Sequence, residues 1–142
     1  MQYSRFSLGL IALRTSLGLT LIAHSLYLKL VVFTLAGTAQ FFGSLGLPPF
    51  SAYLFFALEA GAGLAMVSGF QVRLAALLTI PMMLGATWVH IGNGWLFTNT
   101  GGGWEFPLFL TLSALALFLV YPGKLLTGRA SWEQLRQLDS AH

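Results

Sequence analysis

The sequence predicts an all-helical membrane protein: four transmembrane helices in a bundle, both termini in the cytoplasm, and a short surface helix at the C-terminus. Three observations predict it. Of 142 residues, 56% are hydrophobic and only 8% charged, whereas a soluble domain carries about 25% charged residues as its solvated shell. Four apolar stretches approach the roughly 20 residues that a span needs. The basic residues fall unevenly on the two ends of such a bundle, and that asymmetry sets orientation.

The first span covers residues 6–35, is overlong, and carries Arg14, His24 and Lys29. Its start imitates a secretory signal, but Arg14 interrupts the apolar run and the run is too long for cleavage, so it reads as a retained span. The second covers 51–70, with Glu59 near its middle. The third, 72–91, contains Pro81, predicted to kink it and to leave the Leu77 carbonyl without its donor. The fourth, 105–121, has Pro107 in its first turn and stops at Pro122-Gly123. Residues 43–49 (GSLGLPP) and 91–103 (IGNGWLFTNTGGG) read as loops, and Gly69-Phe70-Gln71 as a tight hairpin. In the tail, 123–142, Ser131 caps a stretch with Trp132, Leu135 and Leu138 at helical spacing, which predicts a helix lying on the inner surface. There is no repeat and no second domain.

Arg5, Arg73, Lys124, Arg129 and Arg136 share one side of this arrangement, and only Lys29 falls on the other. The positive-inside rule then puts both termini in the cytoplasm. Tyr53, Trp88, Trp95 and Trp104 mark the outer interface, Tyr121 and Trp132 the inner one. The absence of cysteine excludes disulfides, thiol redox chemistry, thiolate-held iron–sulfur clusters and the Cys-x-x-Cys-His haem attachment. A net charge of +3, scattered along the chain, gives no basis for nucleic-acid binding.

Ionisable groups at membrane depth cost about 2.5–3.5 kcal/mol each on insertion scales, so they face the bundle and pair. At 100° per residue, Arg14, Gly18, Leu21 and Ser25 share a stripe, with Lys29 on one edge and His24 off the other. Thr79, Met83, Thr87 and His90 form one face of the third span. Glu59 shares a face with Gly63 and Met66. Ala57, Gly61 and Ala65 form a small-residue stripe nearly opposite, a surface for close helix contact within the chain or in a homo-oligomer. Glu59 and Arg14 are expected to form a structural ion pair; the alternative for Glu59 is a protonated carboxyl. His24, Lys29, His90, Asn93, Asn99 and Glu105 are expected to gather at the outer mouth. His24 and His90 also suit an axial haem pair, but interfacial hydrogen bonding is the preferred reading. Lys29 and Glu105 have inexpensive explanations in snorkelling and helix-start charge. Met82 and Met83 read as packing, and no metal site is expected.

Taken in order, these residues resemble the DoxX family of small bacterial membrane proteins. The pattern is Arg14, Leu17 and Gly18; His24-Ser25 and Lys29-Leu30; Gly46 and Pro48; Glu59, Gly61, Gly63 and Leu64; Gly69; Arg73 and Ala75; His90; the turn from Gly94 to Phe97; Glu105 and Pro107; and Pro122-Gly123. It covers most of the chain. Ser25 stands where a glycine usually follows the histidine, Tyr121 replaces the first closing glycine, and Ser131-Trp132-Glu133 replaces a Ser-x-Asp tail. The resemblance implies a four-helix, multi-pass domain of the bacterial inner membrane, with relatives in quinone-linked oxidoreduction such as the membrane subunit of thiosulfate:quinone oxidoreductase.

Three functions follow as expectations. In the first, the chain is a quinone-interacting subunit of an oxidoreductase, with His24, Lys29, His90 and Glu105 around the headgroup. His24, Glu59, His90 and Glu105 are then the candidate proton-handling residues, and a partner protein supplies the electrons. The second is a non-catalytic membrane anchor or scaffold for a partner complex, and the third a small-solute transporter.

Overall fold

The computed structural model describes residues 5–125, 130 and 132–140, apart from the side chains of Trp132, Arg136, Leu138 and Asp139. Every element among them is helical. Helix α1 (Arg5–Ile22) passes directly into a π-helical segment (Ala23–Val32). Then come α2 (Leu35–Ser44), α3 (Ser51–Ser68), α4 (Val72–His90) with a 3-10 turn (Ile91–Asn93), α5 (Glu105–Val120) and α6 (Trp132–Ser140). Three helices are long and apolar enough to cross a membrane: Arg5–Val32, Ser51–Ser68 and Val72–Asn93. α5 is apolar throughout but has only 16 residues. Leu8, Leu19, Leu54, Leu64, Leu84, Phe109, Leu112 and Leu119 all point outward. In water such a surface would aggregate; here it is the face that meets lipid.

Packing follows from small residues. α1 and α3 cross at Gly18 and Gly63, so closely that a Cβ on Gly63 would sit 2.9 Å from the Gly18 carbonyl oxygen and 2.8 Å from Ile22 Cγ1. Around the crossing lie Leu17, Leu21, Ala62 and Met66, all buried. α4 packs chiefly on α5, where Ala76 and Ala114 have no exposed surface. Two hydroxyls deep in the bundle are satisfied by their own helix: Thr79 donates to Ala75 O at 2.8 Å and Thr111 to Pro107 O at 2.8 Å. Lipid has no water to offer them, so these back-bonds are required.

The inward faces expected for the first three spans are the buried ones, since Gly18, Leu21, Ser25, Glu59, Gly63, Met66, Thr79 and Met83 all lie in the core. The ends of α3, α4 and α5 fall within two residues of expectation, and α4 runs on through Pro81. At the hairpin, Gly69 has a left-handed backbone (φ 76°) and Gln71 follows with φ 52°, as a helix stop and immediate restart require.

The first span is the correction. It does not run to residue 35: the helix ends at Val32, and a separate α2 begins at the last residue of the expected span, crosses residues 36–42, for which no element was expected, and ends inside the expected loop. Thr34 causes the break. Its backbone (φ 60°, ψ 157°) cannot continue a helix, and its hydroxyl accepts the Gly37 N–H at 3.1 Å, starting α2 afresh. With 10 residues α2 is too short to span; it rests against α3 and the π segment. The tail helix is present as expected and is docked on α1, with Leu135 buried and the Ser7 hydroxyl donating to Leu135 O at 3.3 Å. Its expected cap, Ser131, lies outside the described residues, as do Arg129 and the side chains of Trp132, Arg136 and Leu138.

Candidate functional site

The polar residues of the bundle occupy three separate settings. In the first, Glu59 is 3% exposed in the middle of α3, and the Lys29 ammonium donates to its Oε2. Glu59 therefore pairs with Lys29, not with Arg14 as the sequence suggested. The cause is the π segment. Winding through i→i+5 bonds advances each residue by less than the 100° of an α-helix, and the lag accumulates. By Lys29 it has turned the side chain from the edge of the stripe onto α3. The wider turn also climbs less per residue, so Lys29 stays level with Glu59 rather than reaching the interface.

The second setting is Arg14, at the opposite end of α3. Its Nη1 donates to the Met66 carbonyl and, at 2.8 Å, to the Val67 carbonyl. These are acceptors of the last turn, at the negative end of the helix dipole, and Met66 O also accepts the capping Gly69 N–H at 3.3 Å. Glu59 is seven to eight residues away, about 10–12 Å along the axis, out of reach. The guanidinium also occupies the space a side chain at Gly69 would need, with Arg14 Cζ 3.3 Å from an ideal Cβ there. A half-buried cation is thus held by backbone oxygens, and Gly69 is required both by its φ and by the approach.

The third setting is the end of the bundle near the 91–105 loop. His24 Nδ1 lies 2.9 Å from Thr20 O, and His90 Nδ1 lies 2.7 Å from Ala86 O. A carbonyl only accepts, so each Nδ1 carries a proton and each ring has its Nε2 left over from this bond. The His24 ring stacks on Phe106 at 5.8 Å between centroids. Below it runs a cleft of about 260 Å³ between α1 and α5, lined by Leu13, Ser16 and Thr20 on one side and Phe106, Phe109 and Ser113 on the other. Since His24 is bonded to Thr20 and stacked on Phe106, it stands at one end of this cleft.

Glu105 and the two asparagines have another task. Glu105 Oε1 accepts the Phe97 N–H at 2.9 Å. Asn93 Nδ2 donates to Gly101 O at 3.1 Å and Gly102 O at 2.9 Å, and Asn99 Nδ2 to Asn93 O at 2.9 Å. They fold the loop on itself, and Trp95 packs edge-on against Trp104 at 4.5 Å. His90 lies under this loop, beside Gly102. The expected single cluster is therefore divided: Lys29 faces Glu59, Glu105 and the asparagines brace the loop, and His24 faces the α1–α5 cleft.

Sequence reasoning passed over Phe106 and the hydroxyl-bearing cleft wall. The signals were present: Ser16, Thr20 and His24 recur at i, i+4, i+8, and Phe106, Phe109, Leu110 and Ser113 at i, i+3, i+4, i+7. Ala57 and Gly61 are exposed, and a Cβ on Gly61 would touch nothing, so the tight helix contact within the chain uses Gly18 and Gly63 instead. Among the described residues no group of three or more His, Cys, Asp or Glu side chains is placed to hold a metal ion.

Residues 9–92 match the family model described as DoxX. Among curated proteins, the chain is 35% identical over 114 residues to "Putative oxidoreductase CatD" of Bacillus subtilis (strain 168), covering 80% of each chain. No solved structure matches it.

Proposed function

The chain belongs to the DoxX family, and from that premise we propose that it is a quinone-interacting membrane subunit of an oxidoreductase complex in the bacterial inner membrane. The observation that carries this reading is the α1–α5 cleft ending at His24. Its walls are apolar apart from Ser16, Thr20 and Ser113, which suits an isoprenoid tail. His24 leaves Nε2 unused by its bond to Thr20 O, which suits a polar headgroup. A bound quinone supplies two-electron, two-proton chemistry. This chain's part is to seat it, to shield it with the Phe106 ring, and to hold or release a proton at His24 Nε2. With no cysteine, electrons come from a partner protein. The oxidoreductase wording in the name of CatD points the same way.

Quinone extracted from the purified protein, or binding of an added quinone in detergent, tests the reading. His24→Phe keeps an aromatic ring against Phe106 and removes Nε2. One lost hydrogen bond of about 1–1.5 kcal/mol should weaken binding roughly tenfold. No quinone in extracts and no binding of added quinone would overturn the proposal and leave the anchor role.

The proposal includes four spans with both termini cytoplasmic. Supporting it, Arg14 caps the C-terminal end of α3, and at the same end Arg73 donates to Phe118 O at 3.2 Å and Gly123 O at 2.6 Å. Cations thus gather where α3 ends, α4 begins and α5 ends. A single cysteine introduced at Thr98 should react with an impermeant thiol reagent on intact cells, and one at Gln137 should not. The opposite pattern would reverse the orientation.

A further inference from the structure

A ten-residue π-helix is long, since π winding usually appears as a single-turn bulge, frequently at a functional site. The segment AHSLYLKLVV contains neither proline nor glycine, so its own sequence does not demand π winding. Its two ends show accommodation. At the start, Ser25 is fully buried and its hydroxyl donates to Leu21 O at 2.8 Å and Ile22 O at 3.3 Å, occupying acceptors where α winding stops. At the finish, Phe33 N–H bonds to Leu28 O at 2.8 Å, five residues back. Thr34 then adopts φ 60°, ψ 157°, a region that side-chain-bearing residues avoid and that structures occupy only when something else holds them there.

At the far side Thr34 is fixed as the start of α2, and in the middle of the segment lies the contact by which the two windings differ. Under α winding, Lys29 would lie about 40° past Ser25 and climb toward the interface; under π winding its ammonium reaches Glu59. The Glu59 side chain is 4% exposed against 23% for Lys29. The ion pair and the strained junction are therefore two sides of one balance. We propose that Ala23–Val32 is a two-position element. The Lys29–Glu59 pair latches the π form, and neutralising the pair lets the segment rewind to α, relaxing Thr34 and withdrawing Lys29 from Glu59. His24, second in the segment and tied back to Thr20, stays in place while everything from Lys29 onward moves, carrying α2 with it. The pairing of a carboxyl inside the bundle is thereby linked to the position of the far end of the first helix.

The chain has no native cysteine, so spin labels can be placed at will. Labels at Val31 and Tyr53, both exposed, report the far end of the segment against the start of α3. Labels at Leu19 and Tyr53 report a helix turn ahead of the segment. In the Lys29→Met, Glu59→Gln double variant, which strands no charge, electron–electron resonance should show the Val31–Tyr53 distance shifted by several ångströms while Leu19–Tyr53 keeps its wild-type value. An unchanged Val31–Tyr53 distance overturns the proposal. So does an equal shift in both pairs, which means general loosening rather than local rewinding. Should the double variant not fold, Glu59→Asp keeps the charge and shortens the reach. It must then give a mixture of two Val31–Tyr53 distances, and a single wild-type distance there also overturns the latch.

Discussion

Gly63→Val is expected to lower the melting temperature sharply and to leave the protein with much of its stability margin gone. The first added carbon would already lie 2.8 Å from Ile22 Cγ1, 2.9 Å from Gly18 O and 3.1 Å from Ile22 N. Two of these three are backbone atoms and cannot rotate aside, so α1 and α3 must separate. That separation opens the packing of Leu17, Leu21 and Met66, each 3% exposed or less. Overpacking that a side chain can relieve costs about 1–3 kcal/mol; here the relief is movement of a whole helix, and we expect the upper end or more. A folded domain has only about 5–15 kcal/mol in hand. Gly61→Ala is the matched control: the same helix, two residues away, with open space around the new carbon. It should be neutral or stabilising by up to about 1 kcal/mol through helix propensity. Thermal unfolding followed by size-exclusion chromatography in detergent reads both. If Gly63→Val melts like the wild type, the α1–α3 crossing is misplaced.

The second large effect is the coupling between Lys29 and Glu59. Lys29→Met leaves the Glu59 carboxylate buried with no cation. Removing one partner of a buried pair typically costs about 3–5 kcal/mol; because the Lys29 side chain keeps 23% of its exposure, water screens part of this and the lower end is expected. Glu59→Leu alone leaves Lys29 free to turn outward and should cost less. The double variant removes the stranded charge and should be more stable than Lys29→Met. Arg14→Leu combined with Glu59→Leu should instead be additive within about 0.5 kcal/mol, because Arg14 holds carbonyls two turns away. Melting temperatures of the two cycles decide between the pairings: strong coupling in the Arg14 cycle and none in the Lys29 cycle would reverse the assignment.

The contrast between these cycles shows where sequence reasoning reached and where it stopped. Which face of each span turns inward was legible, because burial of Gly18, Leu21, Glu59, Gly63 and Thr79 follows from a 3.6-residue period that those helices obey. The hairpin at Gly69-Phe70-Gln71 was legible from its glycine and its length. Pairing across faces was not. It depends on the azimuth of Lys29, set by a departure from α winding that no residue in AHSLYLKLVV signals. α2 was hidden for a related reason: its start rests on one unusual backbone conformation at Thr34, a residue type that ordinarily gives no break. The division of the outer cluster was illegible because Glu105, Asn93 and Asn99 are spent on backbone groups of their own loop. Membership of a loop can be read from composition, but its internal hydrogen bonds cannot.

The shortness of α5 has a consequence for the surrounding lipid. Sixteen residues give an apolar rod of about 24 Å, against a hydrocarbon layer of about 30 Å. Under the proposed four-span arrangement, the shortfall, about 6 Å, is met at a fraction of a kcal/mol per ångström by thinning the bilayer or by oligomerisation along that edge. In the four-span arrangement, α1 with its π extension has length to spare while α5 has none. One flank of the protein then accepts a thick membrane and the other draws in short or disordered chains. The α1–α5 cleft lies on the boundary between the two, where acyl chains are least well ordered and a long-tailed molecule enters most easily from the side.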